Sequence, residues 1–289
     1  MMRVSKNKAS IRFLELADSC RITVLIPARN EEATVGETVR TLLDRYCTSF
    51  DGCLTVAVID DHSTDGTAAA AAKAGAEVIT RDNPKEASGK AESIAEGIRR
   101  FPSDIYALFD ADISNFDATW LELLCAPLSL GKPTLTKGSY NRPVRADGDR
   151  FERFLEGGRV TELVARPLLS MFFPELAKFG QPLSGEVAFT KELIRELPLS
   201  AGYGFDVGLL LDTYLNFGIG SIVEIELGER IHNHQSLTAL SYQASQVAST
   251  ILMKAGIDID ALPGAGRLVR PGKPDKHVPM GCVKSSQPS

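Results

Sequence analysis

The sequence contains few cysteines, and their arrangement argues against two kinds of stabilising site. The five cysteines of the 289-residue chain are scattered, and no C-x-x-C pair occurs among them. An odd, dispersed set predicts neither a disulfide framework nor a structural zinc site. A reducing cytoplasm is therefore the expected compartment.

Long apolar runs and an excess of basic residues are also missing. No stretch approaches the roughly 20 apolar residues that a membrane-spanning helix requires, so we expect no membrane span. The N-terminal MMRVSKNKAS is basic, but no apolar segment of signal-peptide type follows it, so we expect no export. The formal net charge of -5 argues against a general nucleic-acid binder, which would present a basic face.

Two familiar nucleotide-binding signatures are absent as well. The fingerprint G-x-G-x-x-G does not follow the first predicted strand, which argues against NAD. No G-x-x-x-x-G-K-[ST] loop is present, which excludes a P-loop ATPase. A nucleotide site in this chain would have to be built from other residues.

The first half of the chain does contain a regular alternation of strand and helix patterns. The apolar runs ITVLIP (22–27), LTVAVID (54–60), AEVIT (76–80) and DIYALFD (104–110) are separated by segments with helical spacing. Near-continuous apolar strands joined by helices predict an α/β fold, with a mainly parallel, Rossmann-like sheet and helices on both faces. Such sheets bind ligands at the carboxyl ends of their strands.

The second half is less regular. PTLTKGSY (133–140) and SIVEIELG (221–228) predict two further strands. Residues 152–176 have mostly helical spacing, limited in length by Pro167 and Pro174. From about residue 264 the chain is rich in Gly, Pro, Ser and basic residues, a composition that predicts a flexible tail.

The segment ALFDADIS (107–114) leads an apolar strand into two carboxylates. Side chains alternate between the faces of a strand, so Asp110 and Asp112 are expected to point the same way. Two like charges held close together repel each other, and a cation between them relieves the repulsion. A D-x-D pair alone is more often a strand end followed by a solvated turn, so the neighbouring motifs have to decide.

A second acidic pair ends another predicted strand, in DDHSTDGT (60–67). Asp60 and Asp61 can accept hydrogen bonds from ribose hydroxyls or from a base N–H. Ser63 or Asp65 is expected to cap the helix that follows. Capping explains those two residues but not the carboxylate pair before them.

Two more polar clusters open predicted helices. In IPARNEE (26–32), Pro27 fixes the strand exit and Glu31 suits a helix N-terminus. In SGKAES (88–93), Lys90 lies in the first turn of a helix, where the N-terminus and a cation together favour an anion. Taken together, the four clusters fit one ligand, a nucleotide diphosphate with Mg²⁺ or Mn²⁺ at the D-x-D carboxylates.

This series of motifs resembles the nucleotide-sugar half of a GT-A glycosyltransferase. The second half carries longer blocks, which are GGRVTELVARPLL (157–169), QPLSGEVAF (181–189), AGYGFDVGLLLDT (201–213) and ERIHNHQSL (229–237). They resemble the glucosyl-3-phosphoglycerate synthases of retaining glycosyltransferase family 81, over roughly residues 20–255. The resemblance implies a GT-A fold and a metal-dependent hexosyltransferase that moves glucose from a nucleotide sugar, expected to be UDP-glucose, to the 2-hydroxyl of 3-phosphoglycerate.

The domain division expected from these patterns has three parts. It comprises an N-terminal arm (1–20), a GT-A domain (21–263) and the flexible tail (264–289). The domain itself divides into a nucleotide-sugar half (21–139) and an acceptor half (140–263). The family resemblance further implies a homodimer.

The resemblance also implies roles for individual residues. Donor binding falls to Pro27, Ala28, Arg29, Glu31, Asp60, Asp61, Lys90, Asp110 and Leu183. Acceptor binding falls to Gly158, Arg159, Thr161 and Asn233, and the metal ligands are Asp110, Asp112 and His232. The expected catalytic residues are Asp112, Asp206, Tyr203 and Arg159. The Arg159 fork suits the acceptor chemically, because a guanidinium pairs bidentately with phosphate and with carboxylate.

Some alternatives stay open at this stage. Asp206 stands where the family typically has Glu, and Asp61 and His62 stand where Ser-Gly is common, so a mannosyl-3-phosphoglycerate synthase that uses GDP-mannose is a rival. An inverting GT-A enzyme with another acceptor is a second. A nucleotide-sugar-binding regulator without catalysis is a third, although its mark would be a broken metal site. Retention rests on the resemblance alone, and no nucleophile is assigned.

Overall fold

The computed structural model describes residues 6–46, 53–81, 89–145, 151–154, 158–231, 236–271 and 273–283. Within these ranges the α-helices are α1 (Lys6–Ala17), α2 (Val35–Tyr46), α3 (Thr67–Lys73), α4 (Lys90–Arg100), α5 (Thr119–Cys125), α6 (Arg166–Phe172), α7 (Lys191–Glu196), α8 (Phe205–Phe217) and α9 (Leu237–Lys254). Short 3₁₀ turns cover Ala126–Leu130, Leu176–Lys178, Gly202–Gly204 and Ile219–Ser221, and Thr161–Ala165 form a π-helical turn.

The strands in the same part of the chain belong to one large sheet and two small ones. They are β1 (Ile22–Ala28), β2 (Leu54–Asp61), β3 (Glu77–Arg81), β4 (Ile105–Leu108), β5 (Leu135–Arg145), β6 (Phe151–Phe154), β7 (Val187–Thr190), β8 (Leu199–Ser200), β9 (Ile222–Glu229), β10 (Arg267–Arg270), β11 (Lys273–His277) and β12 (Cys282–Val283). The large sheet runs β3-β2-β1-β4-β7-β5-β6, and β9 pairs with β5 beside this path.

The predicted parallel sheet of the first half is confirmed. β1 pairs in parallel with both β2 and β4, and β2 pairs in parallel with β3. The sequence did not predict β7, which inserts antiparallel between β4 and β5. Two antiparallel steps restore the original direction, so β5 and its parallel neighbour β9 run the same way as β1.

This strand order decides which residues share an edge of the sheet. The carboxyl ends of β1, β2, β4 and β9 all lie at one edge, and the antiparallel β7 begins there. Residues that follow β1, β2, β4 and β9 therefore lie close to the residues that precede β7. The same edge receives chain segments that are more than 100 residues apart in sequence.

Apolar side chains pack on both faces of the sheet. One cluster joins α1, α2 and α5 to the sheet through side chains such as Phe13, Leu42 and Trp120. The other joins α4, α6, α8 and α9 through side chains such as Ile94 and Leu210. The helices thus cover both faces, as the sequence predicts. No helix of the described ranges is long and apolar enough to cross a membrane.

The expected N-terminal arm is, over its described part, a helix packed on the domain. Ala9 and Phe13, four residues apart on α1, are 0% and 1% exposed. The aromatic ring of Phe13 lies 5.3 Å from that of Tyr46 on α2. The i, i+4 spacing of these side chains forms one apolar face, and a face of this kind is buried when another element is available to cover it.

The expected flexible tail also takes up structure as far as residue 283. β10 and β11 form an antiparallel pair, and β12 pairs with β8. Val278 between them is 2% exposed. A composition rich in Gly and Pro is typical of turns as well as of disorder. Here β10 and β11 bond to each other, and β12 bonds to β8 in the domain.

The long helical segment expected between residues 152 and 176 is shorter and interrupted. Its start is strand β6, which pairs with the end of β5. Helix α6 ends at Phe172, before Pro174, as the proline predicts. The helical spacing of residues 152–154 was overridden by the neighbouring strand, which local periodicity cannot reveal.

Candidate active site

The D-x-D carboxylates converge, although not for the reason that the sequence suggested. β4 ends at Leu108, so Asp110 and Asp112 lie in the turn beyond the strand and strand alternation does not orient them. One guanidinium nitrogen of Arg230 nevertheless lies 2.9 Å from Asp110 Oδ2 and 2.8 Å from Asp112 Oδ1. Within the described chain, the cation between the two carboxylates is therefore an arginine that follows β9.

Acidic and aromatic side chains surround the guanidinium of Arg230. Its side chain is 4% exposed, its Nε lies 3.2 Å from Glu186 Oε1, and its Nη1 donates to Tyr140 Oη. Burial opposes the charge, yet the carboxylates of Glu186, Asp110 and Asp112 raise the pKa of Arg230 well above its ordinary value. Burial also raises the pKa of Asp112, and the Arg230 guanidinium counteracts that rise. The guanidinium stays charged and binds the acidic pair.

Lys90 supplies a second cation on the other side of Asp110. Its Nζ lies 2.8 Å from Asp110 Oδ1 and 3.0 Å from Asp206 Oδ1. Burial opposes the charge on Lys90, but the two carboxylates more than offset it and raise the pKa of the amine. Lys90 thus joins the first turn of α4 to the first turn of α8, and it brings the expected sugar-site residue Asp206 to the D-x-D turn.

The ion pairs at the sheet edge form a chain in space. It runs from Arg230 to Asp110, from Asp110 to Lys90 and from Lys90 to Asp206, and Asp112 also pairs with Arg230. Positive and negative groups alternate at distances of 2.8–3.0 Å in a partly buried place. Such a cluster can bind a diphosphate and a divalent cation together, because each added charge of one sign finds partners of the other sign already oriented.

Gly185 allows the chain to approach this cluster closely. A methyl group at its Cα would lie 2.5 Å from Asp110 Oδ1 and 2.6 Å from Lys90 Nζ. Atoms of a side chain cannot share that space without displacing the ion pair. The glycine of the QPLSGEVAF block is therefore required by contact with Asp110 and Lys90.

We expect Gly185→Ala to lower kcat of the hexosyl transfer predicted from the sequence by about 10- to 100-fold. The added methyl group would separate Lys90 from Asp110, and a misplacement of about 1 Å in an active site can lower the rate by about 100-fold. The matched control is Gly220→Ala, since nothing lies within 4 Å of a methyl group added there. Steady-state kinetics of both variants provides the comparison. Equal activity of the two alanine variants would contradict the role given to Gly185.

The two loops predicted to hold the nucleoside are joined to each other. Asn30 N donates to Ser63 Oγ at 2.9 Å, Thr64 N donates to Asn30 Oδ1 at 2.8 Å, and Glu31 N donates to Thr67 Oγ1 at 2.8 Å. Ser63 therefore locks the two loops together and does not cap α3. The N-cap of α3 is Gly66, which has no side chain to cap it, and Asp65 Oδ1 accepts a hydrogen bond from the N–H of Thr67, the first residue of the helix, at 3.0 Å.

Asp60 and Asp61, the acidic pair of the second loop, differ in their hydrogen bonds. Asp61 Oδ1 lies 3.1 Å from Arg81 and 2.9 Å from His62 Nδ1, and Asp61 Oδ2 accepts Gly89 N. These bonds tie the end of β2 to β3 and to the start of α4. Asp60 is 3% exposed, and its Oδ1 has no hydrogen-bond partner within the described ranges. Buried oxygens of this kind are rare, so Asp60 is the carboxylate that suits a ligand donor.

The remaining donor residues lie at the same edge. Ala28 pairs with Asp60 and Pro27 with Ile59 in the register of β1 and β2. Arg29 is exposed just beyond the strand. Burial raises the pKa of Glu31, and the Asp112 carboxylate raises it further. The loop of Glu31 therefore lies near the D-x-D turn.

Three of the expected acceptor residues lie at the start of the π-helical turn, where Gly158 and Arg159 precede it and Thr161 is its first residue. Gly158 is half-buried, Arg159 is exposed and Thr161 is 2% exposed. Single π-helical turns are frequent at functional sites, because the widened turn reorients side chains. Arg166 anchors this turn, since its guanidinium donates to the carbonyl oxygens of Ala177, Phe179 and Gly180.

Two further candidates lie on the segments next to Lys90 and Asp206. Leu183 is half-buried and packs against the second core cluster, two residues before Gly185. Tyr203 is 42% exposed, and its backbone N–H donates to Gln246 Oε1 at 2.8 Å. The predicted metal ligand His232 and the acceptor residue Asn233 lie outside the described residues. Among the residues that are described, no group of three His, Cys, Asp or Glu side chains is arranged to hold a metal ion.

The chain is similar in sequence to known glycosyltransferases. Residues 23–164 match the family model Glycosyl transferase family 2. The glucosyl-3-phosphoglycerate synthase of Mycolicibacterium smegmatis is 39% identical over 250 residues, which cover 84% of this chain and 81% of the relative. That of Mycobacterium tuberculosis is 37% identical over 270 residues, which cover 91% and 82%. The chain belongs to the glucosyl-3-phosphoglycerate synthase family.

Solved structures of the family agree with this assignment. The Mycobacterium tuberculosis synthase in complex with Mn²⁺, UDP-glucose and phosphoglyceric acid is 34% identical, with a TM-score of 0.78, and the match covers 93% of this chain and 91% of that one. Its complex with Mn²⁺, UDP and glucosyl-3-phosphoglycerate matches with a TM-score of 0.78 at 32% identity. The predicted family and its GT-A glycosyltransferase fold are thus confirmed.

The sequence did not predict three residues of the candidate site, which are Arg230, Gly185 and Glu186. Arg230 lies in the segment ERIHNHQSL, for which the sequence predicts roles only for His232 and Asn233. Gly185 and Glu186 lie in another segment, QPLSGEVAF. A usable signal existed for Arg230, because a basic residue directly after a predicted parallel strand falls at the same sheet edge as the D-x-D turn.

Proposed function

We propose that this protein transfers glucose from UDP-glucose to the 2-hydroxyl of 3-phosphoglycerate, with retention of the anomeric configuration. The observation that carries the proposal is the alternating cluster of Arg230, Asp110, Lys90 and Asp206 at the carboxyl edge of the sheet. Membership of the synthase family and the 34% identical structure with UDP-glucose and phosphoglyceric acid support the choice of substrates.

The donor would lie along the edge from the nucleoside loops to Asp206. The unpartnered Asp60 Oδ1 would accept from the uridine, with Pro27, Ala28 and Arg29 beside it. Lys90 and Arg230 would face the diphosphate, because both are cations with little exposure, 13% and 4%, and both contact carboxylates. Asp206 and Tyr203 would contact the sugar. Positive groups in this position stabilise negative charge that grows on the departing diphosphate.

Asp110 and Asp112 fit a divalent cation by the chemistry of their oxygens. Hard cations such as Mg²⁺ and Mn²⁺ prefer carboxylate oxygens together with substrate phosphates, and both side chains are a little over a quarter exposed. We propose His232 as the third ligand. When bound, the ion would withdraw charge from the leaving UDP.

The acceptor would lie on the π-helical turn. Arg159 offers a bidentate fork for the phosphate or the carboxylate, Gly158 a backbone N–H and Thr161 a hydroxyl, and we propose that Asn233 completes this group. Holding the acceptor in place beside the donor converts a bimolecular encounter into an oriented one, which is a large part of what such a site supplies. The 2-hydroxyl is assigned no protein base.

A donor-by-acceptor screen on the purified protein tests the proposal. We expect UDP release from UDP-glucose only when 3-phosphoglycerate is present, with Mn²⁺ or Mg²⁺ and not with EDTA. Addition of excess Mn²⁺ after EDTA should restore the activity, which serves as the control for inactivation. Turnover with a different acceptor only, or metal-independent turnover, would overturn the assignment.

GDP-mannose remains the second candidate donor, on one specific observation. The family resemblance implies a glutamate at the position of Asp206, whose side chain is one methylene shorter and contacts Lys90 directly. A shorter carboxylate would reach a different hydroxyl of the sugar. In the screen above, a higher kcat/KM for GDP-mannose than for UDP-glucose would select this reading.

We also propose that the protein is a cytoplasmic homodimer. Family membership supports the dimer, and the dispersed cysteines favour a reducing compartment. Light scattering after size-exclusion chromatography measures the mass directly. A mass of 31.2 kDa would identify a monomer and contradict the dimer.

A further inference from the structure

A buried lysine beneath the site has no part in the reaction as described so far. Lys137 on β5 is 1% exposed. Its Nζ donates to the carbonyl oxygen of Ser184 at 2.7 Å and to that of Asp206 at 3.3 Å. Burying an ammonium group costs free energy of folding unless the group is hydrogen-bonded and paired with opposite charge. A buried lysine at this position is therefore a candidate for a role in the site.

The two carbonyl groups belong to separate arms of the site. Ser184 directly precedes Gly185, which packs against the ion pair of Asp110 and Lys90. Asp206 lies in the first turn of α8 and pairs with the same lysine. Lys137 therefore links, through a single nitrogen, two segments that both contact Lys90.

Charged groups from four neighbouring segments act on Lys137. Asp206 (α8), Glu186 (before β7) and Asp110 (after β4) favour its protonated form, and Lys90 (α4) opposes it. Burial is the largest effect, and the pKa of Lys137 falls to about 8. Its charge is thus retained at neutral pH and lost within an accessible range.

We propose that Lys137 is a positioning residue that fixes the Ser184–Gly185 segment and Asp206 against Lys90, and so sets where the sugar diphosphate of the donor lies. The inference rests on the proposed function. A neutral amine keeps two N–H groups and can keep both hydrogen bonds. The loss of its positive charge leaves Asp206 to draw more strongly on Lys90, which moves Lys90 relative to Asp110.

The expected consequence is an alkaline limb in the rate profile that belongs to Lys137. The limb should appear in kcat/KM, because that parameter reports the free enzyme. A Lys137→Met variant should lose about 30-fold in kcat at pH 7, since the site is misplaced by a fraction of an ångström. It should also lack the limb. Lys137→Arg stays charged throughout the range, so it should also lack the limb, while keeping more of the activity at pH 7 than Lys137→Met does.

The test compares two titrations of the intact protein in one buffer. Lysine labelled with ¹³C at the ε-carbon reports the protonation of Lys137, and the signal missing from Lys137→Met assigns it. The pH dependence of kcat/KM is measured on the same samples with whichever donor and acceptor the wild-type protein turns over. Lys73→Met, an exposed lysine at the end of α3, is the matched control.

Coincidence of the two wild-type midpoints, with a limb that is lost in Lys137→Met and in Lys137→Arg, supports the proposal. A limb that departs from the NMR midpoint, or that persists in a folded Lys137→Met variant, overturns it. If Lys137→Met fails to give dispersed spectra, the signal missing from Lys137→Arg assigns Lys137 instead, and the two wild-type midpoints decide. Absence of turnover with every donor, while Lys137 still titrates, would instead overturn the proposed function and remove this role with it.

Discussion

Replacing Asp112 with asparagine is expected to reduce kcat about 1000-fold, which corresponds to about 4 kcal/mol of lost transition-state stabilisation. Asp112 Oδ1 lies 2.8 Å from Arg230, and an amide oxygen in its place still accepts that hydrogen bond, so the turn keeps its shape. What the variant loses is the negative charge that a divalent cation requires. Steady-state rates with UDP-glucose and 3-phosphoglycerate at saturating Mn²⁺ provide the measurement.

The control for this substitution is Asp44→Asn, which makes the same chemical change on the exposed face of α2. It should leave kcat unchanged within error. Raising the Mn²⁺ concentration should recover little of the activity of Asp112→Asn if the carboxylate also positions the diphosphate. Activity within tenfold of wild type would remove Asp112 from the metal site.

The second large effect is expected on stability, for Arg230→Met. The guanidinium is 4% exposed and contacts Asp110, Asp112 and Glu186, so its removal leaves three carboxylates without that cation. Breaking a buried charge network by removing one partner costs about 3–5 kcal/mol of unfolding free energy. We expect a loss of this size at pH 8 in EDTA, measured by urea denaturation.

The loss should depend on pH and on metal in a defined direction. Without Arg230 the crowded carboxylates have folded-state pKa values above their unfolded values, so the folded state binds more protons and stability falls as pH rises. The loss should therefore be smaller at pH 5 than at pH 8, and Mn²⁺ should reduce it at pH 8. Arg195→Met, on the exposed face of α7, should show no loss. Equal losses at both pH values, with no effect of Mn²⁺, would mean that Arg230 acts by packing alone.

The two predictions separate the two tasks of the acidic turn. Asp112 is expected to serve the reaction at little cost to the fold, whereas Arg230 is expected to stabilise the fold of a site that is strongly acidic without it. Lys90 combines both tasks, because it pairs with Asp110 and Asp206 at once. A cluster built in this way is prepared for a ligand that carries both signs of charge, such as a metal-bound diphosphate.

Much of the site could be located from the sequence because the motifs follow strand ends. Parallel strands bring their carboxyl ends to one edge, and the runs before ARNEE, DDHSTD and DADIS are recognisable as strands from their apolar residues alone. The convergence of Asp60, Lys90, Asp110 and Asp112 on one edge followed from that rule. The orientation of Asp110 and Asp112 did not, since the strand that was to orient them ends at Leu108.

The sequence by itself determined the class of fold, the parallel first half, the sheet edge on which the candidate site residues meet and, through its longer blocks, the family. These features depend on local composition and on spacing within 10 to 20 residues. Only the tertiary structure decided that Arg230 lies between Asp110 and Asp112, that Gly185 touches Lys90, and that Lys137 links Ser184 to Asp206. The physical reason is that these contacts join residues 47–120 positions apart, through an antiparallel strand inserted between two parallel ones, and no local periodicity encodes such a pairing.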